Sequence, residues 1–184
     1  MSPFSSVLRD FVPRPCCGRP FICDGLPERC SVVVIGENPV TQLGVDWWSY
    51  WDDTIGFRYP DWARLYRTSR EQQGKRPVSN TRQRLDRLRR NGVCCLETNV
   101  FFNERPGGAG WGTPTNVDLL DLTVSTLPNV RFVIAHGRKA HEYLERRALP
   151  SNIATVFRTG HFRSESYDRI DRISREIQTR LTWP

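Results

Sequence analysis

Residues 31–39 read Ser-Val-Val-Val-Ile-Gly-Glu-Asn-Pro. Val32 to Ile35 are a short β-branched run, which reads as a buried strand, and the Gly and Pro that follow stop it sharply. Glu37 and Asn38 therefore sit where the strand's C-terminal end must lie, and in open α/β sheets that end is where ligands bind. The same pattern recurs along the chain. Val93–Val100 ends in Glu97, Thr98 and Asn99, Arg131–Ala135 is a third apolar run, and Ile153–Phe157 leads into Thr159, Gly160 and His161. Helical patterns separate these runs. Pro60 opens one through Trp62, Leu65 and Tyr66. Ser79, Asn80 or Thr81 caps a second carrying Leu85 and Leu88, which Asn91-Gly92 ends. Thr115 or Asn116 caps a third, residues 137–149 form a fourth, and Ser164 caps a last one with Tyr167, Ile170, Ile173, Ile177 and Leu181 on one face. Alternation of this kind predicts a three-layer α/β/α fold with a central, mostly parallel four-stranded sheet. Such a sheet gathers its strand ends at one edge, so Glu37, Asn38, Asn99 and His161 are expected to meet in one cleft.

The 184 residues suit a single domain spanning the chain, with the Pro- and Cys-rich residues 1–30, including a short helix near Val7, Leu8 and Phe11, packed on it. The net charge is +7, and Lys75 and Lys139 are the two lysines, so the positive charge is almost all arginine. A basic surface favours a polyanion such as nucleic acid; the plainer reading is a solvated arginine-rich surface. No apolar segment resembles a signal peptide or reaches membrane-spanning length, so a cytoplasmic protein with reduced thiols and no membrane partner is expected. Cys16, Cys17, Cys23 and Cys30 follow the spacing C-C-x5-C-x6-C, which lacks the paired CxxC of common zinc sites, and no metal is assigned to them. Cys94 and Cys95 read as core residues.

An amide, a carboxylate, a histidine and nearby aromatics suit recognition of a planar heterocycle. An Asn presents a donor and an acceptor to a base edge, an aromatic face stacks on the ring, and a His donates to an oxygen gaining negative charge. A carboxylate or amide can position water for attack on a sugar carbon. Together these are the requirements for cleaving a base–sugar bond.

Four segments, in order over roughly residues 30–175, resemble the uracil-DNA glycosylase superfamily. GENP at 36–39 is similar to the family's water-activating loop. The mismatch-specific and single-strand-selective branches match it at Asn38, and the iron–sulfur branch's catalytic carboxylate maps to Glu37. GFRYPDW at 56–62 looks like the stretch that supplies the base-stacking aromatic, which falls on Tyr59 or Phe57. LETNVFFNERPGG at 96–108, with TPT at 113–115, is similar to the iron–sulfur branch's base-reading motif, whose Asn is Asn99. TGHFRSES at 159–166 looks like the closing loop, giving His161 the catalytic role and Phe162 and Arg163 the wedge into the duplex. Three positions depart from the family. Phe162 stands where Pro usually follows the His, Glu104 stands where the iron–sulfur branch has a cysteine, and Val40 stands where the uracil-specific branch has a thymine-excluding Tyr.

The resemblance implies a monofunctional glycosylase that hydrolyses the N-glycosidic bond of uracil, or a related deaminated base, in DNA and so initiates base excision repair. It would work as a monomer without metal or cofactor, nucleoid-associated when on DNA. Glu37, Asn38 and His161 would be catalytic. Tyr59, Phe57, Asn99, Gly36 and Val40 would surround the flipped base. Phe162, Arg163, Ser164 and Arg105 would contact DNA, with Arg138 as a further phosphate contact. Two other readings stay open: an inactive DNA-binding protein of the same fold, or a glycosylase for another base such as hypoxanthine or xanthine. A different hydrolase on a similar scaffold, acting on phosphate esters or nucleotides, is less favoured, because few carboxylates flank the cleft for a two-metal site. Trp47, Trp48 and Trp51 read as core or a lid, and His136 and His141 as structural.

Overall fold

In a computed structural model, which describes residues 3–41, 43–101 and 117–182, the sheet has five strands in the order β1-β5-β2-β6-β7. These are β1 (Phe21–Ile22), β2 (Val32–Gly36), β5 (Cys95–Asn99), β6 (Phe132–His136) and β7 (Thr155–Thr159). β2, β5, β6 and β7 are mutually parallel, as their continuous apolar runs predict. The fifth strand corrects the expected four. Phe21 and Ile22 pair antiparallel with Thr98 and Glu97, so the N-terminal segment closes the open edge of β5 as well as packing on the domain. A two-stranded ribbon, β3 (Trp51–Asp52) with β4 (Gly56–Phe57), stands apart from the sheet.

Side chains alternate between the two faces of the sheet with period two. Val33, Ile35, Leu96, Val133 and Ala135 pack with α1 (Pro3–Phe11), α2 (Tyr59–Gln72), α4 (Val117–Thr126) and α5 (Arg138–Glu145). Val32, Val34, Cys95, Phe132 and Ile134 pack with Leu85 and Leu88 of α3 (Asn80–Arg90) and Ile170, Ile173 and Ile177 of α6 (Tyr167–Thr182). The result is the three-layer α/β/α arrangement. Ser79 caps α3 by accepting from the Arg82 N–H. The last helix is capped differently from the reading above. Ser166 Oγ accepts from the Arg169 N–H, whereas Ser164 Oγ donates to the His161 carbonyl within the preceding turn. The candidate caps Thr115 and Asn116 lie outside the described residues.

The aromatic stretch after β2 is core. Trp47, Trp48 and Trp51 are buried, with Trp47 stacked on Trp51 and on Phe57 at 5.6 Å. Each indole N–H donates to oxygen, on Phe21, Pro13 and Asp53 respectively, which satisfies the polar edge inside.

Candidate functional site

The connection leaving β2 runs to β5 on one side, and the one leaving β6 runs to β7 on the other. Loops diverge where these connections part, between β2 and β6, and a crevice opens there at the carboxyl ends of the strands. A cleft of about 370 Å³ occupies this place. Glu37, Asn38, Val40, Asn99, His161 and Arg163 all line it.

Cross-strand register explains the convergence. Gly36 pairs with Asn99 of β5, and its neighbour Ile35 pairs with Ala135, which puts His136 of β6 on the other flank of Gly36. By the period-two rule Gly36, Asn99 and His136 share the α3/α6 face. The missing side chain at Gly36 is the space these two neighbours use. A Cβ there would lie 2.7 Å from Asn99 Oδ1 and 2.8 Å from His136 Nε2. The loop itself is held by backbone bonds, with the N–H groups of Val100 and Phe101 donating to the carbonyls of Gly36 and Glu37. Val40 is 73% exposed at the rim.

His161 is oriented by the chain that follows it. The Arg163 N–H donates to its Nδ1 at 3.1 Å, so the neutral ring carries its proton on Nε2. Burial, and then the neighbouring Arg163 charge, lower its pKa, against the opposing effect of Glu37, so the neutral form prevails at neutral pH. The ring is therefore a donor without being a cation.

His136, read from the sequence as structural, also borders the cleft. It is buried, 5.3 Å from the His161 ring. Burial, then His161, push its pKa down to about 3, which keeps it neutral. Its Nδ1 is buried with no hydrogen-bond partner among the described residues. A bare acceptor there costs less than an orphaned N–H, so the proton belongs on Nε2, beside Asn99. The sequence did carry a signal for this, since His136 is the polar residue ending a third strand at the same parity as Asn99. His141 is packed as expected, with Nε2 3.1 Å from the Ala135 carbonyl.

Several expected site residues are elsewhere. Phe57 is buried in the aromatic core, and Tyr59 begins α2 with its hydroxyl donating to Asp86 at 2.5 Å and Arg89 over its ring. Neither lines the cleft; among the described residues the Phe, Tyr or Trp that does is Tyr66, one turn further along the α2 face from Trp62. Phe162 is fully buried and stacked on His136 at 4.5 Å, so it is a core residue beneath the histidine and in this conformation no wedge. Phe162 is thus the floor on which His136 rests. Ser164 is in the turn after His161, and Arg105 lies outside the described residues. Arg138 pairs with Glu142 on α5.

Glu97, which the sequence reading left without a role, also lines the cleft. It accepts from Arg82 Nη1 at 2.7 Å, and it is bonded to Arg82 Nη2 and Arg89 Nη1 as well. Burial would raise its pKa, but the two guanidinium charges outweigh that and bring it down to about 2. Cys16, Cys23 and Cys30 are buried and Cys17 is exposed, with Cys94 Sγ 3.8 Å from Cys30 Sγ. Among the described residues no group of three or more His, Cys, Asp or Glu is arranged to hold a metal ion. No helix among them is long and apolar enough to cross a membrane.

The chain matches no protein-family model, and no curated protein matches it.

Proposed function

We propose that the chain is a monofunctional DNA glycosylase that hydrolyses the bond between deoxyribose and uracil, or a related deaminated base, initiating base excision repair. The observation that carries this reading is the meeting of Glu37, Asn38, Asn99 and a neutral, donor-oriented His161 in one cleft at the strand ends. The residues come from three separate strand ends, so their meeting is a property of the fold and not of a local sequence motif.

The base is extruded from the stack into the cleft. Asn99 reads its edge with one donor and one acceptor. Glu37 or Asn38 positions water on the sugar carbon and steadies the positive charge developing on the sugar. His161 donates from Nε2 to the base oxygen that gains charge as the bond breaks; a neutral imidazole can do so without transferring its proton. Tyr66 takes the place expected of Tyr59 or Phe57 as the aromatic wall. Arg163 and Arg105 contact phosphates, so binding weakens as salt rises. Every group named belongs to the chain itself, and the reading calls for no cofactor.

The test is cleavage of an end-labelled oligonucleotide carrying one uracil, in EDTA, followed by alkali to break abasic sites. Parallel strands carry thymine, hypoxanthine or xanthine. Breakage at uracil supports the reading, and breakage confined to hypoxanthine or xanthine redirects it to another base. Tight binding without breakage on any strand replaces it with a DNA-binding role. Single Glu37→Ala and Asn38→Ala variants separate the two candidates for water activation. If neither slows cleavage, the assignment of this loop is wrong.

A further inference from the structure

The cleft is larger than its strand-end half, and the other half has a different chemistry. Arg70 of α2, Arg76 of the following loop, and Ser79, Asn80 and Thr81 at the start of α3 line it, together with Thr41. The two arginines are held in place by neutral oxygens. Arg70 Nε donates to the Arg76 carbonyl at 2.7 Å and its Nη1 to Thr41 Oγ1 at 3.0 Å, while Arg76 Nη2 donates to Asn80 Oδ1 at 3.0 Å. Neither makes an ion pair with a carboxylate among the described residues. Among the described residues the carboxylates that line the cleft are Glu37 and Glu97, and Glu97 is already bonded to Arg82 and Arg89. Two guanidinium groups, each with donors left over, thus face a concave space at the positive end of an eleven-residue helix. Arg19, Arg70, Arg76, Arg82 and Arg163 line the cleft against these two carboxylates, and a concave wall with an excess of one sign of charge concentrates the opposite sign.

We infer that this half of the cleft is an oxyanion subsite, in which Arg70 and Arg76 hold a phosphate or carboxylate carried by the same nucleotide whose base meets Asn99 and His161. The inference rests on the proposed function only for what fills the strand-end half. Guanidinium forks match phosphate and carboxylate oxygens geometrically, and charge-assisted hydrogen bonds of this kind are about twice as strong as neutral ones. The network from Thr41 through Arg70 to Arg76 ties the loop after β2 to α2 and α3, so the two subsites are positioned relative to each other before any ligand arrives.

The test is calorimetric titration of the full chain at low salt with deoxyuridine, deoxyuridine 5′-monophosphate and 5-carboxydeoxyuridine. A monophosphate binding about tenfold or more tighter than the nucleoside, with the gap shrinking as salt rises, is the expected result. The gap should close to within about twofold in Arg70→Gln/Arg76→Gln and narrow in Arg76→Gln alone, whose side chain is exposed and not needed for folding. A preference for the 5-carboxy compound over the monophosphate assigns the oxyanion to the base instead of the backbone. Equal binding of all three ligands, no measurable binding of the monophosphate, or a gap that survives in the double variant overturns the inference. Binding is read without turnover, so a chain that holds the monophosphate but cleaves no uracil strand refutes the glycosylase reading alone.

Discussion

Two sets of arginines face the same cleft and are treated in opposite ways. Arg82, with Arg89 behind it, is buried and closed onto Glu97, whereas Arg70 and Arg76 bond to uncharged oxygens at the more open end. In the first set the attraction of Glu97 outweighs the cost of burial and raises the pKa of both guanidinium groups. That triad joins α3 to β5 and is spent on structure. The second set keeps its charge unneutralised, so proximity to a cleft does not by itself mark a functional charge. What marks it is whether the fold has already supplied the counter-ion.

The comparison breaks most visibly at Glu97. Glu97→Gln takes the carboxylate from the buried Arg89 and leaves Arg82 only Asp86, 3.7 Å away, and should cost about 3–5 kcal/mol of stability, read by urea denaturation. Arg76→Gln should stay within about 0.5 kcal/mol of the parent chain in the same experiment. A loss under about 1 kcal/mol for Glu97→Gln would show that the triad is not a structural anchor.

Asn99 sharpens the contrast within a single strand. It is two residues beyond Glu97 on the same face, yet it borders the strand-end half of the cleft. Asn99→Ala should cost about 2–4 kcal/mol in transition-state binding while leaving the denaturation midpoint nearly unchanged. Parental cleavage rates for this variant would remove Asn99 from base reading.

Acid should weaken the closed region from two sides with one sign. Glu97 has its folded pKa lowered from 4.5 to about 2, so its contribution is present above pH 4.5 and lost as the pH falls towards 2. His136 has its folded pKa lowered from 6.5 to about 3, so protons favour the unfolded chain and stability declines once the pH drops below 6.5. Between pH 6.5 and 4.5 only His136 acts of this pair, with an upper bound of about 3 kcal/mol. Denaturation midpoints in parent and His136→Gln measure it, and a variant as acid-sensitive as the parent in that interval would assign the loss to other groups. The smallest expected effect on ligand binding is the roughly tenfold nucleotide preference of Arg70 and Arg76, about 1.4 kcal/mol.

How much of this was legible beforehand varies by element. The four parallel strands were readable because each carries a short apolar stretch that gives way to polar residues, and the α3 cap because Ser79 precedes a helical pattern. Phe21–Ile22 was not, since two residues are too short to show a period and their strand state depends on the open edge of β5. Phe162 drew a wedge role from the resemblance of its loop alone, whereas its ring fills the space beneath His136, which no local pattern shows. Tyr59 and Tyr66 both lie in one aromatic-rich stretch, and only the direction of α2 decides which of them reaches the cleft. Arg70 and Arg76 looked like general surface charge because nothing local shows whether a carboxylate will come to meet them.

By itself the sequence determined the layer order, the parallel sheet and the gathering of Glu37, Asn38, Asn99 and His161 at one edge, because hydrophobic periodicity and chain reversal are local properties that add up to a topology. Tertiary structure alone decided which charges would be neutralised, which histidine would be buried and neutral, and which aromatic would wall the cleft. Those outcomes depend on cross-strand register and on helix orientation, and a shift of one residue in register would carry His136 to the opposite face and leave Gly36 with no neighbour to accommodate.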